Sequence, residues 1–216
     1  MKKLFTLVAV ALMAVSASAQ QTVWNFSDWT AQTFTSEYTQ DGLTVAATAD
    51  QSVTIDGNKK TITGANNTYE CTQRLKFGGA GGSGADGEYR YVKFDVTGDC
   101  TINVGLQSSS SGSDRILNVA TGTFDNVAST MSALGSPAQE QSFTYTGEAT
   151  TIYLYSTSGG INLYYIEVTP SDPSGINSVN VEKENANAPM YNLAGQRVNN
   201  NAKGIVIQNG KKFIKK

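Results

Sequence analysis

For chemistry the chain offers acids, arginines, tyrosines and two cysteines, and no histidine among its 216 residues. That absence removes Ser-His-Asp and Cys-His activation of a nucleophile, together with every histidine-containing metal site. Cys71 and Cys100 by themselves fall short of the four-ligand set that zinc takes. Glycoside hydrolysis needs only two carboxyl groups ~5 to 10 Å apart, and Gln20 to Pro173 holds sixteen acids. Several of these occupy turn-like positions, as in Asp41-Gly42, Asp56-Gly57, Asp86-Gly87 and Asp99. There an acid that bonds its own backbone is a better account than a catalytic one. The residue types therefore imply no catalytic centre, no cofactor and no metal.

The run Gly78-Gly-Ala-Gly-Gly-Ser-Gly-Ala-Asp-Gly87 invites two sharper readings and fails both. A phosphate-binding loop ends in Gly-Lys-Ser/Thr, and no lysine is present. A calcium-binding nonapeptide is matched through Asp86, but Glu88 takes its large apolar position and no second copy follows. The run is expected to be a flexible loop between strands, able to close over a ligand because glycine permits close backbone approach.

Aromatic and arginine side chains are the remaining lead. The apolar faces of sugars stack on Trp or Tyr, and Arg, Asn, Gln and Asp bond their hydroxyls. Trp24 and Trp29 are five apart and would face opposite ways in one strand, so one is assigned to the core. A turn at Ser27-Asp28 would bring Trp29 near the surface. Tyr69, Tyr89, Tyr91, Arg74, Arg90 and Arg115 lie near strand ends or the glycine run, and Tyr164 and Tyr165 bracket one strand. The candidate ligand-binding set is Trp29, Arg74, Tyr89, Arg90 and Arg115, with core packing or a satisfied surface contact as the competing account for each.

The elements that must position these residues are strands. In Arg90 to Val96, Val92, Phe94 and Val96 point one way while Tyr91, Lys93 and Asp95 point the other. Thr101 to Leu106 repeats the pattern with Ile102, Val104 and Leu106, and the short Thr97-Gly-Asp-Cys100 connection predicts a hairpin between the two. Further strands are expected at 23–26, 43–48, 53–55, 74–77, 115–120, 141–145, 151–155 and 161–168. The last two flank Ser156-Thr-Ser-Gly-Gly160 and are expected to form the final hairpin of the domain. No amphipathic helical pattern persists beyond a turn or two outside the first residues. The expected fold is all-β, a two-sheet β-sandwich of jelly-roll topology with a small C-terminal β-unit. The organisation reads as a signal peptide at 1–19, a sandwich at 20–169, a linker at 170–175 marked by Pro170 and Pro173, and a C-terminal domain at 176–216.

Met1-Lys-Lys3, the apolar run to Val15 and the small residues Ala17-Ser-Ala19 make up the signal peptide. No cysteine follows the cleavage region, which removes the lipoprotein route, and no later segment has the ~20 apolar residues of a spanning helix. The expected location is secreted or cell-surface, or periplasmic if the tail does not act. In that oxidising route Cys71 and Cys100 can close a loop of about 30 residues, worth ~3 to 4 kcal/mol in the chain-entropy model. The alternative is that each is a small apolar residue beside its strand. The sandwich segment carries seven Lys/Arg against its sixteen acids, poor material for binding nucleic-acid phosphates.

From Ser174 the charge balance reverses to seven Lys/Arg against two Glu. Asn209-Gly210 between Ile205-Val-Ile207 and Lys212-Phe-Ile214 predicts a hairpin with a type I′ turn. With Tyr191-Asn-Leu193, Gly195-Gln-Arg-Val198, Lys203-Gly204 and the closing lysines, this tail resembles the C-terminal sorting domains of type IX secretion cargo. The resemblance implies secretion machinery as a partner. The bland account is that the lysines keep an exposed edge hairpin soluble.

Trp24-Asn-Phe-Ser-Asp-Trp29, Asp41-Gly-Leu-Thr-Val45, Arg74-Leu-Lys-Phe-Gly-Gly79, Arg90-Tyr-Val-Lys-Phe94 and Ile161-Asn-Leu-Tyr-Tyr-Ile166 carry a second resemblance. It is to the non-catalytic β-sandwich modules found beside pectate lyases and other secreted polysaccharide-degrading proteins. This likeness implies a polysaccharide partner. The expected function is that of a secreted, non-catalytic carbohydrate-binding sandwich. The alternatives are a structural or adhesive surface protein that binds other proteins and, less favoured, a small polysaccharide lyase or glycosidase.

Overall fold

The computed structural model describes residues 21–85, 87–171, 188–199, 202–208 and 211–215. The leader, most of the connection after Ser171 and the Asn209-Gly210 turn lie outside them. The chain divides into two compact units, 1–173 and 174–216.

The first unit holds fifteen strands among its described residues: β1 (Thr22–Asn25), β2 (Gln32–Phe34), β3 (Tyr38–Gln40), β4 (Leu43–Ala46), β5 (Val53–Thr63), β6 (Thr68–Phe77), β7 (Gly82–Gly84), β8 (Gly87–Tyr89), β9 (Tyr91–Val96), β10 (Cys100–Ser108), β11 (Arg115–Thr121), β12 (Val127–Ala133), β13 (Gln139–Tyr145), β14 (Thr150–Tyr155) and β15 (Ile161–Pro170). One sheet runs β13-β10-β15-β6-β5-β2, with β1 also on β15. The other runs β12-β11-β14-β9-β4-β3. The two enclose one core in which Val92, Phe94 and Val96 of β9 meet Ile102, Val104 and Leu106 of β10 and Ile161, Leu163 and Ile166 of β15. This is the all-β sandwich expected of a jelly roll.

Two expected hairpins are replaced by crossings between the sheets. β9 pairs with β14 and β4, whereas β10 pairs with β15 and β13. Likewise β14 lies in the six-stranded sheet and β15 in the seven-stranded one. Alternation reports which side chains face the core. Consecutive strands on opposite walls of a sandwich satisfy it as well as neighbours in one sheet do. Pro170, assigned to the linker, instead ends β15 opposite Cys100.

The cysteine bridge is not formed, and both thiols are free and buried. β15 lies between β6 and β10 in the sheet. Cys100 packs in the core between the two sheets, whereas Cys71 packs with Ile62, Tyr164 and Tyr165 in a separate cluster. Burial pushes the Cys71 thiol up to about 11 and raises Cys100 as well.

The glycine run, expected as an open loop, contains a small hairpin of β7 on β8. Gly81 N–H, just before it, donates to the Ser156 carbonyl at 2.6 Å. Beside Gly105 the ladder between β10 and β15 slips by one residue. Tyr164 is thereby turned outward beside Tyr165.

In the second unit β16 (Met190–Asn192), β17 (Arg197–Val198), β18 (Gly204–Gln208) and β19 (Lys211–Lys215) form a sheet ordered β17-β16-β18-β19. Ile205 pairs with Ile214 and Gln208 with Lys211, so the two strands of the expected hairpin pair in its register.

Candidate functional site

The five residues expected to bind ligand do not converge. Trp29 is the clearest correction, since it is 5% exposed and its ring packs edge-on to Phe26 at 5.5 Å. The 3-10 turn Phe26–Asp28 does form, but it folds Trp29 into the core because the indole fills space beside Phe34 and Tyr38. Trp24 is core too. Arg74 forks onto Asp56, its cross-strand partner, with Nε–Oδ1 2.7 Å and Nη2–Oδ2 3.3 Å. The Tyr89 ring lies over Gly82 and Gly84 of its own hairpin. Arg90 adopts φ 53° and donates to the Ser52 carbonyl at 3.3 Å. Arg115 donates to Ser109 Oγ at 2.9 Å and to the Gly160 carbonyl at 2.6 Å. Arg74 is thus engaged across the β5–β6 ladder, and Arg90 and Arg115 hold turns beside strand ends.

A polar cluster that the sequence did not point to covers the outer face of the seven-stranded sheet. The turn between β5 and β6, residues 64–67, lies over β15 and β13. Glu167, 1% exposed, accepts from Tyr69 OH at 2.6 Å, Asn103 Nδ2 at 3.1 Å, Asn66 Nδ2 at 3.2 Å and Asn67 Nδ2 at 3.5 Å. Glu140 accepts from Tyr165 OH at 2.8 Å and Ala65 N–H at 2.7 Å, and the two tyrosine rings stack at 4.0 Å. Burial works to raise Glu167, but the hydrogen bonds from Tyr69, Asn66, Asn103 and Asn67 outweigh it and hold the carboxyl below its usual value. Burial, then the Glu167 and Glu140 acceptors, raise Tyr69 and Tyr165. A carboxylate kept ionised in this way is an anchor for the β5–β6 hairpin and is unsuited to donate a proton near neutrality.

The outer face of the six-stranded sheet is different. Tyr91, Tyr153, Tyr155 and Phe124 form an aromatic strip. Phe124 stacks on Tyr155 at 4.0 Å, and Tyr91 lies 5.6 Å from Tyr153. Ala46, which pairs with Tyr91, also lines an adjoining open cleft of about 550 Å³ with Thr35, Ser36, Glu37, Ala47, Thr48, Ala49 and Glu88. Lys93 Nζ is 3.3 Å from Glu37 and 6.0 Å from the Tyr91 ring. Among the described residues no hydrogen bond engages the Tyr91 hydroxyl or the Glu88 carboxylate. Burial raises Tyr91, Lys93 opposes the rise, and Glu88 and Glu37 add to it. The phenol therefore lies within the field of both cleft carboxylates. Hydroxyls, carboxylates and a half-buried ring can bind a polyol through hydrogen bonds and stacking. Among the described residues no group of three or more Cys, Asp or Glu is placed to hold a metal ion, and no helix is long and apolar enough to cross a membrane.

The strip was legible in part. Tyr91 stands on the polar side of its strand by alternation, and Tyr153 and Tyr155 alternate with Ile152 and Leu154. Glu88 is three residues before Tyr91, but nothing in the sequence brings residues 35–37 to that strip, since pairing of β3 on β4 and of β4 on β9 does this.

No protein-family model matches the chain. No curated protein is significantly similar to it in sequence. Among solved structures it is similar to a family 35 carbohydrate binding module from Clostridium thermocellum, with TM-score 0.39 and 12% identity over 71% of this chain and 100% of that one. It is similar at the same score and identity to the cleaved adhesin domain of Lys-gingipain from Porphyromonas gingivalis, over 70% of this chain and 99% of that one. A xylan-binding domain from Paenibacillus barcinonensis gives TM-score 0.39 and 12% identity over 69% and 94%. At these scores and identities the likeness conveys neither ligand nor activity to the chain.

Proposed function

We propose that the sandwich is a non-catalytic glycan-binding domain whose site is the cleft and aromatic strip on the six-stranded sheet. The observation that carries this reading is the junction of a hydroxyl- and carboxylate-lined cleft with Tyr91 and Tyr153. There the unbonded Tyr91 hydroxyl and Glu88 can bond sugar hydroxyls while the Tyr153 ring offers an apolar face. A protein-binding sandwich would call for a contiguous apolar patch. The exposed Val23, Tyr38, Ile116 and Val127 are instead single residues on separate strands. Titration calorimetry against a panel of plant and host oligosaccharides tests the reading. At least one should bind, with Tyr153→Ala and Glu88→Gln each weakening it by about tenfold, the worth of ~1.4 kcal/mol. Absence of binding across the panel, or equal binding by both variants, would sink it.

Export and sorting complete the proposal. The leader at 1–19 supports entry into the secretory route, and the tail's likeness to sorting domains supports a role for secretion machinery. The second unit leaves Ile205, Phe213 and Ile214 exposed, apolar surface of the kind a partner covers. Removal of residues 176–216 is expected to shift the protein from the surface or medium to the periplasm in fractionated cells. Unchanged surface display would refute the sorting role.

A further inference from the structure

Resting on the glycan-binding reading, we infer that the cleft takes glycans bearing protonated amino groups and turns away those bearing carboxylates. Two carboxylates, Glu37 and Glu88, line it, and no cation does. The nearest ammonium, on Lys93, is 3.3 Å from Glu37 and so is offset by it. The guanidinium of Arg90, close in sequence to Glu88, is directed instead at the Ser52 carbonyl and Gly79. Glu88 therefore presents an unbalanced negative charge.

The acids reach the strip as well. Tyr155 is raised first by burial and then by Asp125, with Glu88 adding to the rise; Tyr91 is raised by burial, opposed by Lys93, with Glu88 and Glu37 adding to the rise. Glu88 thus acts on two of the three phenols of the strip. Tyr91 is only 5% exposed, and among the described residues nothing bonds its hydroxyl. The Tyr91 hydroxyl is not among the buried polar atoms left without a partner, so it reaches the surface, where Lys93, Glu88 and Glu37 all act on it. A sugar ammonium has three donors, and its charge-assisted bond to the Glu88 carboxylate is of the stronger kind. A uronate placed there meets like charge and finds no compensating cation. The excess of acids over bases between Gln20 and Pro173 adds a long-range bias of the same sign to encounter.

The test compares four hexasaccharides by calorimetry on the full chain at about pH 5.5, where amines are protonated and exposed carboxylates ionised: glucosamine, N-acetylglucosamine, glucose and galacturonate oligomers. The glucosamine hexamer should bind at least tenfold more tightly than its acetylated and neutral counterparts, the preference should fall at high salt, and galacturonate should not bind. Glu88→Gln should weaken glucosamine binding by about tenfold more than it weakens neutral binding, with thermal stability unchanged. Equal binding of the neutral and amino oligomers, or tighter binding of galacturonate, overturns this inference and leaves the glycan-binding reading standing. No binding of any glycan overturns both.

Discussion

Replacing Glu167 by leucine is expected to lower the unfolding free energy of the sandwich by about 3 kcal/mol, measured by urea denaturation. Tyr69 OH and Asn103 Nδ2 both donate to that carboxylate, and a buried donor left without an acceptor costs ~1 to 3 kcal/mol. Glu167→Gln keeps one acceptor oxygen and turns an amide toward donors, so a smaller loss, about half, is expected. The hydrogen bonds hold the carboxyl below its ordinary value in the folded protein, so the unfolded chain binds more protons there. Its stabilisation is present above the usual carboxylate range and is lost as pH falls through the folded value. Tyr69 and Tyr165 are shifted the opposite way, above the ordinary range of a tyrosine, by burial and by their carboxylate acceptors. Their contribution is complete below pH 10 and declines as pH rises toward their folded values. A melting-temperature profile against pH should show both limbs, and the acid limb should flatten in Glu167→Leu. An unchanged acid limb in that variant would show that the carboxylate does not anchor the hairpin.

Gly105→Ala should be comparably damaging although it adds one methyl group. A Cβ on Gly105 would land on the Tyr165 ring, directly across the ladder from it. That ring is fully buried, stacked on Tyr69 and tied by its hydroxyl to Glu140, so it has nowhere to retreat. Overpacking of this kind costs ~1 to 3 kcal/mol, and for a domain of this size the melting temperature should fall by roughly 3 to 10 °C. Combining Gly105→Ala with Tyr165→Leu should cost less than the sum of the two changes, because the smaller side chain vacates the space the methyl needs. Strict additivity would mean that the two positions do not meet.

The same face shows where sequence patterning stops. Period-2 alternation placed Val92, Phe94, Val96, Ile102, Val104 and Leu106 toward the core, and they are there. Ile161 to Val168 carries apolar residues on both faces, and Tyr164 and Tyr165 are fully buried on the outer one. The cover could not be foreseen, because it is the β5–β6 hairpin, about a hundred residues earlier, whose turn bonds Glu167. Besides the small hairpin of β7 and β8, the strands missed altogether, β2, β3 and β12, stand at sheet edges. Their polar residues, as in Gln32-Thr33 and Thr39-Gln40, face water and leave little alternation to detect.

Residue types and local order determined that the first unit would be an all-β sandwich with no histidine chemistry, and that Ile205 to Ile207 would pair with Lys212 to Ile214. Tertiary structure alone decided that consecutive strands cross between sheets, that Trp29 is core, that the cysteines stay apart, and that Glu37, Glu88, Tyr91 and Tyr153 share one face. The division has a physical cause. Alternation and turn chemistry act within a few residues, whereas strand order is settled by competition among burial surfaces distant in the chain, and convergent side chains follow from strand order.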